Sequence, residues 1–63
     1  MIPNQIQQGQ IAKHMRIEQS LTQATVARRM KIPLRQYKEL EKGAHKWTLG
    51  IINAFCEAIS KEE

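Results

Sequence analysis

Little in these 63 residues could staple a fold from outside its own packing. There is one cysteine, so no internal disulfide is possible, and Cys56 with two scattered histidines gives no zinc-ligand spacing. Glycine (three) and proline (two) are scarce and strand-type alternation is absent, which leaves an all-helical reading. No apolar run approaches the roughly 20 residues that span a bilayer. The start lacks the basic-then-apolar order of a signal peptide, so the expectation is a soluble, cytoplasmic protein with no membrane role. No paired carboxylates, nucleophile beside a base or glycine-rich phosphate loop is present, so neither an enzyme nor a cofactor is expected. One domain covering residues 1–63 is all this length allows, and its core is small. Well-packed helices, oligomerisation or both must compensate. What is in excess is positive charge. Lys plus Arg number 10 against six acidic residues, a net +4 with pI near 9.7, which favours a polyanionic partner.

Read along the chain, Met1-Ile2-Pro3-Asn4 is a lead-in, and Pro3 suits a first helical turn. A first helix is predicted over about residues 4–19, with Ile11, Ala12 and Met15 inward, Ile6 as an extension of that stripe, and Gly9 weakening it. Thr22 is a good N-cap for a helix over residues 23–30, whose Val26, Ala27 and Met30 turn inward. Ile32 precedes Pro33 and so breaks that helix, and Pro33 can open a third one that Gly43 ends. After a loop over residues 44–47, Thr48 caps a last helix with Leu49, Ile52, Phe55, Cys56 and Ile59 on one face. Lys61-Glu62-Glu63 reads as a loose tail.

Two short helices joined by a three-residue turn make a helix-turn-helix over about residues 22–42, whose second helix can enter a major groove. At 100° per residue Tyr37 and Leu40 face inward, Arg35, Lys38, Glu39 and Lys42 face outward, and Leu34 and Gln36 lie at the flanks. Cations with a carboxylate on one helix face suit both phosphate neutralisation and base reading. Arg35 can take guanine bidentately. Glu39 can accept from cytosine or merely orient Arg35 or Lys42, Leu34 can touch a thymine methyl or cover the core edge, and Gln36 can contact the backbone or nothing. His14 and the cations Arg28, Arg29 and Lys31 read first as solvated surface, and Cys56 as a packing residue.

Leu21 to Met30, then Ile32, then Tyr37 to Gly43 with its Leu40-Glu41-Lys42-Gly43 close, resemble the Xre/Cro/C1 helix-turn-helix family. The likeness continues through Trp47-Thr48-Leu49 and Phe55 to Ile59, and covers roughly residues 9–60. It implies an all-α, four- to five-helix lambda-repressor-like DNA-binding domain. It also implies Gln23 as a phosphate anchor at a helix start, Arg16 and Glu41 as a structural ion pair, and Leu34, Arg35 and Glu39 as base-facing positions. Lys42, His45 and Lys46 correspond to the helix end and loop that grip the backbone. Lys31 stands where that family has glycine, which predicts a left-handed lysine at a cost of roughly 1 kcal/mol, and Pro33 stands where it has a serine or threonine cap.

The resulting expectation is a sequence-specific double-stranded DNA-binding transcriptional regulator, chiefly a repressor, that reads an inverted-repeat operator as a homodimer. Trp47, Leu49, Gly50 and Ile51 are the expected dimer contact, Ile51 because it points away from the main stripe of the last helix, while Trp47 can equally be core. The chain stops after the last core helix, so a short phage Cro-like or controller-like protein with no small-molecule effector is expected. The alternative is a protein-interaction module on the same fold, an antitoxin or antirepressor whose main partner is a protein.

Overall fold

Side chains close the free N–H groups at three of four helix starts. In the computed structural model, which describes residues 4–60, Asn4 caps α1 (Gln5–Glu18), accepting from the Gln7 N–H at 2.8 Å while the Gln7 side chain accepts from the Asn4 N–H at 3.2 Å. Thr22 accepts from the Thr25 N–H to start α2 (Gln23–Met30), and Thr48 accepts from the Ile51 N–H to start α4 (Leu49–Ser60). Pro33 has no side-chain bond to give; its fixed φ of −62° instead leads directly into α3 (Leu34–Lys42). The described residues contain four helices and no strand, and none of these helices is long and apolar enough to cross a membrane. The lead-in with Pro3 and the tail Lys61-Glu62-Glu63 lie outside the described residues.

Three helices end in one way. Ser20, Lys31 and Gly43 are each left-handed (φ 57°, 62° and 87°), and each is followed by an N–H that reaches back five residues to a carbonyl: Leu21 to Arg16, Ile32 to Ala27, Ala44 to Glu39. This is the Schellman arrangement. The left-handed Lys31 expected from the sequence is present. Only the third copy uses the residue that adopts the conformation without strain.

α3 is the central element, packed against both α1 and α2, and α4 lies against α2 and touches α1. Ala12, Val26, Tyr37 and Leu40 are fully buried, with Ala27, Met30, Phe55 and Ala58 around them. Phe55 organises the ring cluster, lying 6.4 Å from Tyr37 and meeting Trp47 edge-on at 5.7 Å. Each large side chain so buried contributes roughly 1.5–3 kcal/mol. Ile32, between α2 and α3, packs on this core as expected.

Two helix faces differ from the periodicity reading. On α1, Gly9 and Ala12 are buried, whereas Ile6, Ile11 and Met15 are exposed. The cause is distance: a methyl on Gly9 would stand 2.5 Å from the carbonyl oxygens of both Leu40 and Glu41, so only a residue without a side chain fits there. Gly9 is therefore the seat of α1 on α3 rather than a weak point. On α4, Ile51, Ala54, Phe55, Ala58 and Ile59 face the core, while Leu49 is 74% exposed and Cys56 is exposed. Of the expected face, Phe55 and Ile59 do turn inward and Ile52 is half-buried, but Leu49 and Cys56 point out, so the helix is rotated toward the side that carries Ile51 and Ala58. That brings Ile51, expected outside, onto the core.

Candidate functional site

The inner face of α3 is locked. Tyr37 and Leu40 have no exposed surface, and Glu41 is buried within a polar network that ties three helices together. Arg16 of α1 donates from Nε to Glu41 Oε2 at 2.6 Å and from Nη2 to Oε1 at 3.3 Å, and its Nη1 donates to the Leu21 carbonyl at 2.8 Å. The ion pair implied by the family resemblance is thus formed, and it is bidentate. Gln23, the first residue of α2, adds a bond from Nε2 to Glu41 Oε1 at 3.1 Å. Burial opposes ionisation of Glu41, but the bond from Arg16 and the neighbouring Tyr37 and Gln23 outweigh it, and its pKa is held below the ordinary carboxylate value. The bond to Glu41 raises the Arg16 pKa against a smaller effect of burial. Burial, then the adjacent Glu41 carboxylate, pushes the Tyr37 phenol up; its hydroxyl is enclosed without a hydrogen bond of its own.

The outer face of α3 is therefore presented on a fixed inner one. Arg35, Lys38 and Lys42 are exposed along it, Leu34 is 38% exposed at its start, and Gln36 and Glu39 are half-buried at its flanks. Lys31 stands exposed in the three-residue connection from α2, and Lys46 is exposed in the loop that follows α3. His45 in that loop is half-buried, its Nδ1 lying 3.0 Å from the Lys46 carbonyl oxygen. Leu34, Arg35, Lys38 and Lys42 thus share one helix surface, and Lys46 extends from its C-terminal end. Gln23 is half-buried and differs from the other candidates in that one amide N–H is already given to Glu41.

The four residues expected at a dimer contact separate. Trp47 is half-buried, donates from Nε1 to the Leu40 carbonyl at 3.0 Å and packs on Phe55, and Ile51 packs on the core; Leu49 and Gly50 are exposed. Two tying contacts had no place in the sequence reading. Gln5 Nε2 donates to the Gly43 carbonyl at 2.7 Å, and Arg29 Nη1 donates to the Ala58 carbonyl at 3.0 Å, which closes the end of α4. The Asn4–Gln7 spacing is a legible capping-box signal for the start of α1, where Gln5 stands, but nothing local points to Gly43 as its partner. Arg29 carries no such local signal, because its partner is 29 residues away. Among the described residues no cluster of three histidine, cysteine or acidic side chains could hold a metal ion. Comparison of the chain with family models, with curated proteins and with solved structures returns no match.

Proposed function

We propose that this chain is a sequence-specific DNA-binding transcriptional regulator, chiefly a repressor, whose α2, three-residue connection and α3 form a helix-turn-helix and whose α3 enters the major groove. The observation that carries this reading is the two-sidedness of α3. Its inner face is held by Tyr37, Leu40 and Glu41, while Arg35, Lys38 and Lys42 stand outward beside Leu34. A guanidinium fixed on a rigid helix can meet guanine O6 and N7 together, and the lysines at the helix end and in the loop suit phosphates, which set register without reading sequence. Leu34 is placed for a thymine methyl, and Glu39 for cytosine N4 or for steering Arg35. The short module binds few phosphates alone, so a homodimer on an inverted repeat is the assembly that gives useful affinity. Promoter occupancy then blocks polymerase, or recruits it.

Selection from random duplex DNA, followed by titration of the winner at two salt concentrations, tests this. An inverted repeat with a log–log salt slope near about −7, for about eight phosphate contacts per dimer, is the expected result. No enrichment over non-specific sequence, or a flat salt response, overturns it. The second reading, a module whose main partner is a protein, is favoured by one observation: Ile6, Ile11 and Ile17 are all exposed on α1. A stoichiometric protein partner without DNA affinity would select it.

A further inference from the structure

We propose that Lys31, at the corner between α2 and α3, is a further phosphate-binding residue of the DNA interface, held in a strained backbone that sets its ammonium at the lip of the groove. The proposal rests on the DNA-binding reading above and deepens it by adding a contact to that site.

The backbone is the first reason. Lys31 ends α2 at φ 62° and ψ 40°, the left-handed region that crowds a Cβ against the neighbouring carbonyl. Gly43 ends α3 with the same pattern of return bonds and has no Cβ to crowd. A glycine at position 31 would therefore keep the turn and remove the strain. A long L-side chain stands there instead, in a small domain with no disulfide to make up the loss. Strained residues of this kind collect where a protein binds or reacts.

Nothing within the described chain offsets that strain. Lys31 is exposed, and among the described residues its ammonium makes neither a hydrogen bond nor an ion pair. Arg16 and Arg29, by contrast, direct their donors to Glu41 and to the Leu21 and Ala58 carbonyls. Attraction to the negative end of α2 is not a sufficient reason for a lysine at this position. Arg28 and Arg29 already supply cations to the last turn of that helix, from ordinary helical backbone.

Place supplies the partner. In a helix-turn-helix on DNA the first helix crosses the sugar-phosphate backbone, and the N-terminal residues of the second meet the base edges. Lys31 closes α2 and stands three positions before Leu34, which opens α3. It therefore falls where backbone gives way to groove, within a turn of Leu34 and Arg35. A compact ammonium on a flexible stem suits a phosphate there better than a base edge, for which a planar fork is the better match. Lys42 and Lys46 stand at the other end of α3, so lysines grip the duplex from both ends of the reading helix and fix its register. Strain alone does not single out Lys31, since Ser20 shares it. Lys31 differs in carrying a charge and in standing beside the reading face.

The test compares the intact parent with Lys31→Gly, Lys31→Gln and Lys31→Arg, and with Lys13→Gln, which removes the same charge from exposed surface on α1. Each is titrated with the selected operator and with a random duplex over roughly 50–200 mM salt, and each is unfolded in urea. One phosphate per chain is two per homodimer, so the log–log slope on the operator should fall from about −7 to about −5 in Lys31→Gly and Lys31→Gln. Both variants should weaken on the two DNAs alike, as expected of a phosphate contact. Lys31→Gly should at the same time show the higher urea midpoint, and a gain in stability with a loss of affinity is not what damage to the fold produces. Lys31→Arg and Lys13→Gln should keep the parent slope. Unchanged slopes in Lys31→Gly and Lys31→Gln overturn the proposal and leave the DNA reading in place. Weakening on the operator alone overturns it too, since Lys31 would then read a base, and so does an equal fall in Lys13→Gln, which would reduce the effect to net charge. A parent without salt-sensitive DNA binding overturns the DNA reading and this contact with it.

Discussion

Replacing Gly9 by alanine sets two effects of opposite sign against each other. In an exposed helix the change gains about 1 kcal/mol from backbone propensity. Here the new methyl would lie 2.5 Å from the carbonyl oxygens of Leu40 and Glu41 and 2.9 Å from the Glu41 carbonyl carbon. The Leu40 carbonyl is held by the Gly43 N–H and the Trp47 indole, and both carbonyls are backbone groups of the last turn of α3, so α1 must retreat by about 1 Å to reach ordinary contact. The retreat stretches the 2.6 Å bond from Arg16 to Glu41 and loosens the seat of Ala12. Overpacking of this kind costs about 1–3 kcal/mol, and weakening a buried ion pair adds to it. The expected net loss is about 2 kcal/mol, which for a domain this small lowers Tm by about 8–16 °C. Thermal melts of parent and variant at one shared protein concentration measure this, because self-association alone would shift Tm with concentration. A variant that melts at or above the parent would refute the close approach of α1 to α3.

Replacing Lys31 by glycine relieves a left-handed lysine (φ 62°) and should raise stability by about 1 kcal/mol, visible as a higher urea midpoint with unchanged slope; a lower midpoint would show that the side chain outweighs its backbone strain. The Glu41 pKa is lowered in the folded protein, so its contribution is fully present above the ordinary carboxylate range, from about pH 5 upward, and is lost as pH falls through the folded value. The stability gap between the parent and Glu41→Gln should therefore be widest near neutral pH and narrow in acid, and a gap independent of pH contradicts the ionic account. Truncating Glu41 to alanine leaves Arg16 enclosed with only the Leu21 carbonyl, at a cost of about 3–5 kcal/mol, so lost DNA binding in that variant must be read beside its melting curve. Arg35→Ala, exposed on α3, should leave Tm unchanged while costing about 1–3 kcal/mol of operator affinity and relaxing preference at one base pair; intact preference in a folded variant removes Arg35 from base reading.

The α2–α3 region was the most legible part of the chain because its signals are local. Thr22, the Ile32-Pro33 pair and Gly43 each act within a turn of where they stand, and both helices and the connection between them lie where these residues put them. Tyr37 and Leu40 were placed inward by spacing alone, since the rest of α3 after Leu34 is polar. The same spacing misled on α4, where Ile51 and Ile52 are adjacent and two overlapping apolar stripes fit equally well. Both stripes contain Phe55 and Ile59, so the choice between them rests on how α4 packs against α2 and α1, outside that helix. Gly9 shows the deeper difficulty. Its meaning depends on backbone atoms more than 30 residues away, and propensity, a local quantity, gave it the wrong sign. At the candidate site, exposure of Arg35, Lys38 and Lys42 followed from the helical period, whereas the bond between Gln23 and Glu41 depended on how α2 meets α3.

Trp47 is the sole tryptophan, and it is pinned at both ends, its indole N–H on the Leu40 carbonyl and its ring against the edge-on Phe55. That position makes it a built-in optical gauge of the joint between α3 and α4. When the joint opens, the indole exchanges a carbonyl for water and its emission moves to the red. Occupation of the outer face of α3 leaves both of its attachments in place. Fluorescence of the unmodified chain can therefore follow folding in the presence of DNA without a label, and a red shift during a titration would signal that the joint itself had been pulled apart.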